Sequence, residues 1–185
     1  AKNTPHETAL EGQFLQYISQ HGIQSLAYPS IIASGDNACI LHYNNNNQPI
    51  SPGKLVLVDA GCEFEQYASD ITRTFPIDGH FSSMQQAIYE AVLDTQIETI
   101  NQVRPGIEMK DLDLFAAKKI SKHMIELGLI NRSIDECISQ KLYQQYFPHR
   151  IGHTMGLDVH DIPNQTLQEG MVITVEPGIY IKDHP

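Results

Sequence analysis

The apolar run Leu55-Val56-Leu57-Val58 ends on Asp59, and Asp70 opens the run Ile71-Thr72-Arg73-Thr74-Phe75. Two apolar strands with a carboxylate at each facing end leave few ways to fold. An ionised carboxylate at the end of a buried strand is costly unless a cation neutralises it or donors surround it. A hairpin turning near Phe64-Glu65 would set Asp59 directly opposite Asp70. Cross-strand partners share one face, with Cβ atoms about 4.5–5.5 Å apart. Like charges so close repel, so that one of them would be protonated. A dication between them reverses the sign of that interaction. The alternative left open by the residues alone is a pair of turn aspartates.

A second concentration of chemistry lies near the end of the chain. His149, His153 and His160 fall close together, with Gly152 and Gly156 among them allowing close backbone approach. Glu176 ends Met171-Val172-Ile173-Thr174-Val175 and precedes Pro177-Gly178, so a strand delivers a carboxylate and then turns. Asp59, Asp70, His153 and Glu176 are thus the metal-ligand candidates. His42 follows Ile40-Leu41, and a half-buried strand histidine explains it equally well. Oxygen-rich ligation with a single imidazole suits Mn²⁺, Co²⁺ or Fe²⁺ better than a thiolate zinc site. Two such ions, about 3.5–4 Å apart, could share a bridging water, lower its pKa and clamp a developing oxyanion. A neutral histidine nearby could move protons.

The remaining pattern frames these residues. Leu10, Phe14, Tyr17 and Ile18 recur at helical spacing, Thr4 and Glu7 match a capping box around Pro5, and Gly22 is the stop. From Tyr28 to Phe75 the chain reads as β-rich, with strands at Ile31-Ile32, Cys39-Ile40-Leu41-His42, Leu55 to Val58 and Ile71 to Phe75; Asn44 to Asn47 reads as an exposed loop. A long helix capped near Ser83, with Gln86 three residues on, carries Met84, Ile88, Val92, Ile97 and Ile100, and ends before Pro105-Gly106. The next carries Leu112, Ala116, Ile120, Met124 and Leu127, with Gly128 as its stop. Asn131 to Tyr146 holds a short helix, and β signals return from Pro148. Helices covering one face of a mainly antiparallel sheet make this an α+β fold.

Composition excludes other classes. The 185 residues suffice for a single domain with a real core. A formal charge of −10 disfavours nonspecific nucleic-acid binding. No apolar run reaches membrane-spanning length, and the first residues do not resemble a secretory signal. Cys39, Cys62 and Cys137 are odd in number and match no disulfide framework, which points to free thiols in a reducing compartment.

Together the runs Ile40-Leu41-His42-Tyr43, Val58-Asp59-Ala60-Gly61-Cys62-Glu63, Ser69 to Pro76, Gly156-Leu157-Asp158-Val159-His160-Asp161 and Thr174-Val175-Glu176-Pro177-Gly178-Ile179-Tyr180 resemble the catalytic domain of aminopeptidase P. That family comprises the Xaa-Pro aminopeptidases among the pita-bread metallopeptidases. The resemblance implies a pita-bread α+β fold over residues 1–185 and a centre of two divalent ions, manganese first, with Co²⁺, Fe²⁺ or Zn²⁺ as substitutes. It implies Asp59 on one ion, Asp70 bridging both, and His153 and Glu176 on the other. His42, His149 and His160 correspond to outer histidines that contact substrate or stabilise the tetrahedral intermediate. The implied reaction releases the N-terminal residue from a peptide with proline second. The implied setting is cytoplasmic, or the mitochondrial matrix in a eukaryote, with the full-length protein a homo-oligomer.

Two departures from the family shape further expectations. A second bridging glutamate and a separate amino-terminal domain have no counterpart here, so the chain is expected to be a truncated catalytic domain, weakly active or inactive alone. Prolidase, which cuts only dipeptides, is the nearest rival, and Asp161 to Leu167 looks more like aminopeptidase P. Methionine aminopeptidase fits the Leu157 to Asp161 run less well. Noncatalytic pita-bread binding modules have lost the ligands that this chain keeps.

Overall fold

The computed structural model describes residues 6–161 and 166–182. The chain divides into two compact units. The described parts of residues 1–82, 156–159 and 181–185 form the first, and those of 83–155 and 160–180 the second. Thr4 and Pro5 of the expected capping box lie outside the described residues, as do Ile162 to Gln165 of the stretch that separates aminopeptidase P from prolidase.

The first unit opens with α1 (Glu7–Gln20), followed by β1 (Ser25–Leu26), β2 (Ile31–Ser34), β3 (Leu55–Ala60), β4 (Cys62–Phe64), β5 (Tyr67–Ala68) and β6 (Ile71–Pro76). Helix α1 ends as Gly22 requires. Gly22 takes φ +78, its N–H donates to the Ser19 carbonyl and that of Ile23 to Ile18, which closes the last turn. The helix starts after His6, which provides no side-chain cap, and the Glu7 carboxylate is turned inward to Ser34. Sheets β2-β3-β6 and β1-β4-β5 are both antiparallel. Ile18, Ile32, Ala33, Tyr43 and Val56 are buried in this unit.

The expected hairpin is present, with its register moved. Phe64 pairs with Tyr67, so the loop is Glu65-Gln66, and both residues have positive φ (50 and 73), as a two-residue hairpin turn demands. Moving the turn by one residue moves every pairing by two. Asp59 therefore faces Thr72, and Asp70 lies diagonally offset from it instead of directly opposite. A shift of two preserves the face, so both carboxylates still lie on one side of the sheet.

The strand expected at Cys39 to His42 does not form. Gly35–Cys39 is a 3₁₀ helix, and Ile40 and Leu41 are exposed. His42 has φ +56 and is exposed, which corrects its reading as a half-buried strand histidine. Side-chain hydrogen bonds, described below, replace the ladder that a strand would have used.

The second unit holds α2 (Ser83–Ile100), α3 (Met109–Glu126), α4 (Ile134–Ser139), β7 (Thr154–Met155) and β8 (Val172–Ile173). On α3 the expected face is the buried one: Leu112, Ala116, Ile120 and Met124 pack with Ile130, Cys137, Phe147, Ile151 and Leu167. Gly128 (φ +74) stops it, with the Leu129 N–H on the Met124 carbonyl. Helix α4 begins on a full capping box, Ser133 with Glu136. Helix α2 starts where expected, and of its expected stripe Ile88 and Val92 are half-buried on the inward face. Ala91, Thr95 and Thr99 point inward, whereas Met84, Ile97 and Ile100 are exposed. Each threonine can be buried because its hydroxyl donates back one turn, to Ala91 and Thr95 respectively.

Among the described residues the β signals after Pro148 give two short strands, yet their ladder runs on. Beyond Thr154 and Ile173, the Thr174 N–H donates to the His153 carbonyl at 2.9 Å and the Glu176 N–H to Ile151 at 2.7 Å. Among the described residues no helix is long and apolar enough to cross a membrane. No disulfide joins Cys39, Cys62 and Cys137.

Candidate metal centre

In the first unit, β3 delivers Asp59 and the residue before β6 is Asp70. A residue missed in the sequence stands between them. The Tyr28 hydroxyl donates to Asp59 Oδ1 at 2.5 Å and lies 3.1 Å from Asp70 Oδ1, so one proton serves two carboxylates. Burial, followed by the Asp59 hydrogen bond and the two negative charges, pushes the Tyr28 pKa far up, which keeps the phenol a donor. Burial also raises Asp59, with the Asp70 charge acting the same way; hydrogen bonds from Tyr28 and Thr72 and the nearby His42 act against it. Gly61 makes the arrangement possible. A Cβ at that position would overlap the Ser69 carbonyl and come within 2.8 Å of the Tyr28 ring. The only sequence signal for this was a glycine two residues after the aspartate; Tyr28 itself gave none.

In the second unit, the β7–β8 ladder brings His153 beside Glu176, with Nε2 and Oε1 3.3 Å apart. Gly152 lets the strands approach, since a Cβ there would overlap the Thr174 carbonyl. Thr174 joins the pair: its hydroxyl accepts the His153 N–H at 2.9 Å and donates to Glu176 Oε1 at 2.8 Å. His153 Nδ1 lies 3.1 Å from the Thr154 carbonyl; a proton donated there would leave Nε2 free to ligate a cation. His160 lies against His153, the two rings tilted by 59° with centroids 4.1 Å apart. The Asp161 N–H on the Thr154 carbonyl at 3.0 Å returns the chain to that position. His149 lies apart from this pair in its contacts, 2.8 Å from the Tyr180 hydroxyl and edge-on to Phe147.

Helix side chains brace the ladder from behind. The Gln96 amide donates to the Val175 carbonyl at 2.9 Å, and Asp113 accepts the Ile151 N–H at 2.8 Å. Neither was legible in the sequence, because helical periodicity marks apolar faces and not polar braces.

The donor sets suit divalent cations on their own geometry. Two carboxylates share one hydroxyl donor in the first unit, and an imidazole nitrogen lies 3.3 Å from a carboxylate oxygen in the second. The first is an electron-rich arrangement that a cation relieves, and the second sets two ordinary ligand types side by side.

Residues 1–184 match the profile of metallopeptidase family M24. The Xaa-Pro aminopeptidase of Haemophilus influenzae is 44% identical over 183 residues, covering 96% of this chain and 43% of that protein. A solved variant of Escherichia coli aminopeptidase P superposes with a TM-score of 0.94 at 37% identity, covering 98% of this chain and 43% of that one. A zinc-substituted form of the same E. coli protein, in complex with product, gives a TM-score of 0.93 at 38% identity, over 96% and 42% of the two chains. The chain thus spans about two-fifths of the length of these relatives. The pita-bread α+β fold expected from the sequence is borne out by these matches, and the chain belongs to metallopeptidase family M24.

Proposed function

We propose that this chain holds divalent metal through Asp59, Asp70, His153 and Glu176, and serves the removal of an N-terminal residue from peptides with proline in second position. The observation that carries the reading is the acidic pair on Tyr28, two carboxylates on one sheet face sharing one hydroxyl. The imidazole beside Glu176 supports it from the other unit. Family membership brings divalent metal, and the oxygen-rich donor set favours manganese among the candidates.

When bound, the ions supply Lewis acidity and a water of lowered pKa. The protein's own groups do the rest. Thr174 and the Thr154 carbonyl hold Glu176 and His153 in orientation. Tyr28 fixes the aspartates. His42, His149 and His160 are the groups offered to the peptide, as hydrogen-bond donors to the attacked carbonyl or as proton carriers. An Xaa-Pro bond is a tertiary amide without N–H, so recognition has to fall on carbonyl and ring.

The test is a manganese titration followed by assays on an Xaa-Pro-Xaa tripeptide and an Xaa-Pro dipeptide. Weak metal-dependent cleavage of the tripeptide at most is expected from this chain alone, and Asp59→Asn or His153→Ala should lower manganese affinity and abolish any cleavage. Cleavage of the dipeptide alone would favour a prolidase. A manganese affinity that neither substitution lowers would overturn the reading.

A further inference from the structure

Glu7 belongs to neither set of ligands, yet it is fully buried. Its carboxylate accepts five hydrogen bonds. Oε1 takes the Ser34 N–H at 2.8 Å, the Ser34 hydroxyl at 2.9 Å and the Asn37 amide at 3.1 Å. Oε2 takes the Tyr43 hydroxyl at 2.7 Å and the Gln48 N–H at 3.0 Å. Its own N–H donates to the Gln48 carbonyl at 3.0 Å. Every partner lies between the end of β2 and Gln48, and this stretch carries His42. Burial pushes the Glu7 carboxyl up, but the donors from Gln48, Asn37, Tyr43 and Ser34 outweigh it and hold the group ionised.

The stretch needs such support. His42 has φ +56 and Asn46 φ +47, left-handed positions that a non-glycine residue keeps only where its surroundings impose them. Asn46 is buried as well, accepting the Ile32 N–H at 2.9 Å and donating to the Ser30 carbonyl at 2.8 Å. Tyr43, the residue after His42, is buried and ends on Glu7. The first turn of α1 thus acts as an internal frame for an otherwise irregular loop.

We propose that Glu7 is a positioning residue for His42, acting through Tyr43 to set where the exposed imidazole stands. This rests on the reading above that His42 meets the peptide. All five Glu7 partners are donors, and the two backbone N–H groups cannot reverse. Glu7→Gln therefore sets an amide donor against at least one of them or loses a bond.

The test compares Tyr43→Phe and Glu7→Gln in the native background and in His42→Ala, reading kcat and KM on an Xaa-Pro tripeptide. Tyr43→Phe removes the bond to Glu7, along with those the hydroxyl accepts from the Asn37 amide and the Asn47 backbone, and leaves Glu7 four donors, so it is the variant expected to fold. It should lower kcat about fivefold, the factor that about 1 kcal/mol for one hydrogen bond corresponds to. KM should stay within about twofold, and the kcat loss should vanish in His42→Ala, where there is no imidazole left to misplace. An equal loss in both backgrounds, or none in either, would overturn the proposal. Amide exchange at residues 41–44 of the protein reads the same link without turnover. Tyr43→Phe should speed it about tenfold while leaving α3 unchanged. Unchanged exchange would sink the positioning role even if no peptide is cleaved; faster exchange together with a manganese affinity that Asp59→Asn does not lower would sink only the functional reading.

Discussion

The Thr174 hydroxyl donates to Glu176 Oε1 at 2.8 Å while accepting the backbone N–H of His153 at 2.9 Å. One side chain two residues before the glutamate therefore fixes the carboxylate and the strand that carries the imidazole. Thr174→Val keeps the shape and the β-branch but removes both bonds. We expect manganese affinity to fall about tenfold or more, the size typical of losing a group that orients a ligand. Thr174→Ser should restore most of it. Calorimetric titration of the three proteins decides, and equal affinity in all of them would sink the orienting role.

Tyr28→Phe tests the acidic pair of the first unit. Without the hydroxyl, Asp59 and Asp70 lose the donor they share. Loss of a hydrogen bond to a charged acceptor should cost about 2 kcal/mol in metal-free protein. Saturating manganese should shrink that deficit, because the cation takes over the charge balance. Urea unfolding with and without metal is the measurement. A deficit of the same size in both conditions would mean that Tyr28 only fills space.

How far the sequence reaches is clearest in the hairpin. Period-2 alternation put Asp59 and Asp70 on one face correctly, because parity survives the two-residue register shift. The exact partner, Thr72, was not legible, since Glu65-Gln66 lacks the glycine or asparagine that marks such a turn. Cys39 to His42 carried strand-like residues, but the buried polar groups Glu7 and Asn46 decide that loop, and long-range hydrogen bonds leave no local pattern. Helix α2 was found at the right place with part of its face: Ile88 and Val92 are half-buried, Met84, Ile97 and Ile100 are exposed, and Thr95 and Thr99, buried with their hydroxyls satisfied within the helix, read as polar. The β7–β8 ladder put His153 beside Glu176 through the backbone approach that Gly152 allows, which the sequence did suggest.

Asp94 gives a prediction in pH. The Lys119 ammonium at 2.9 Å, and next His123 at 2.7 Å, hold its carboxyl below the usual range, tying α2 to α3. A carboxyl whose pKa is lower in the folded chain stabilises it above the unfolded pKa of about 3.9, and that contribution is lost as pH falls through the folded value. The group is half-exposed, so the effect is modest. Asp94→Asn should therefore be less stable than the native protein at pH 7, and the gap should close below about pH 4. Urea midpoints from pH 7 to 3 measure it, and a gap that persists at the acid end would show that packing, not charge, ties the helices.

Two glycines should respond to alanine with opposite signs. Gly12 lies inside α1, and a Cβ there meets nothing within 4 Å. Replacing a helical glycine lowers the entropy of the unfolded chain, so Gly12→Ala should stabilise by about 0.5–1 kcal/mol. Gly61 lies between β3 and β4, where a Cβ would overlap the backbone carbonyl of Ser69 and crowd the Tyr28 ring. Backbone cannot swing aside as a side-chain end can. Either the Ser69 carbonyl moves, loosening the hairpin that aligns Asp59 and Asp70, or Tyr28 leaves its place between them. Gly61→Ala should thus cost about 3 kcal/mol or more and weaken metal binding along with stability. Thermal melts of both variants with a manganese titration separate the cases. A stable Gly61→Ala protein with native metal affinity would mean that Tyr28 is not held by the close approach at Gly61.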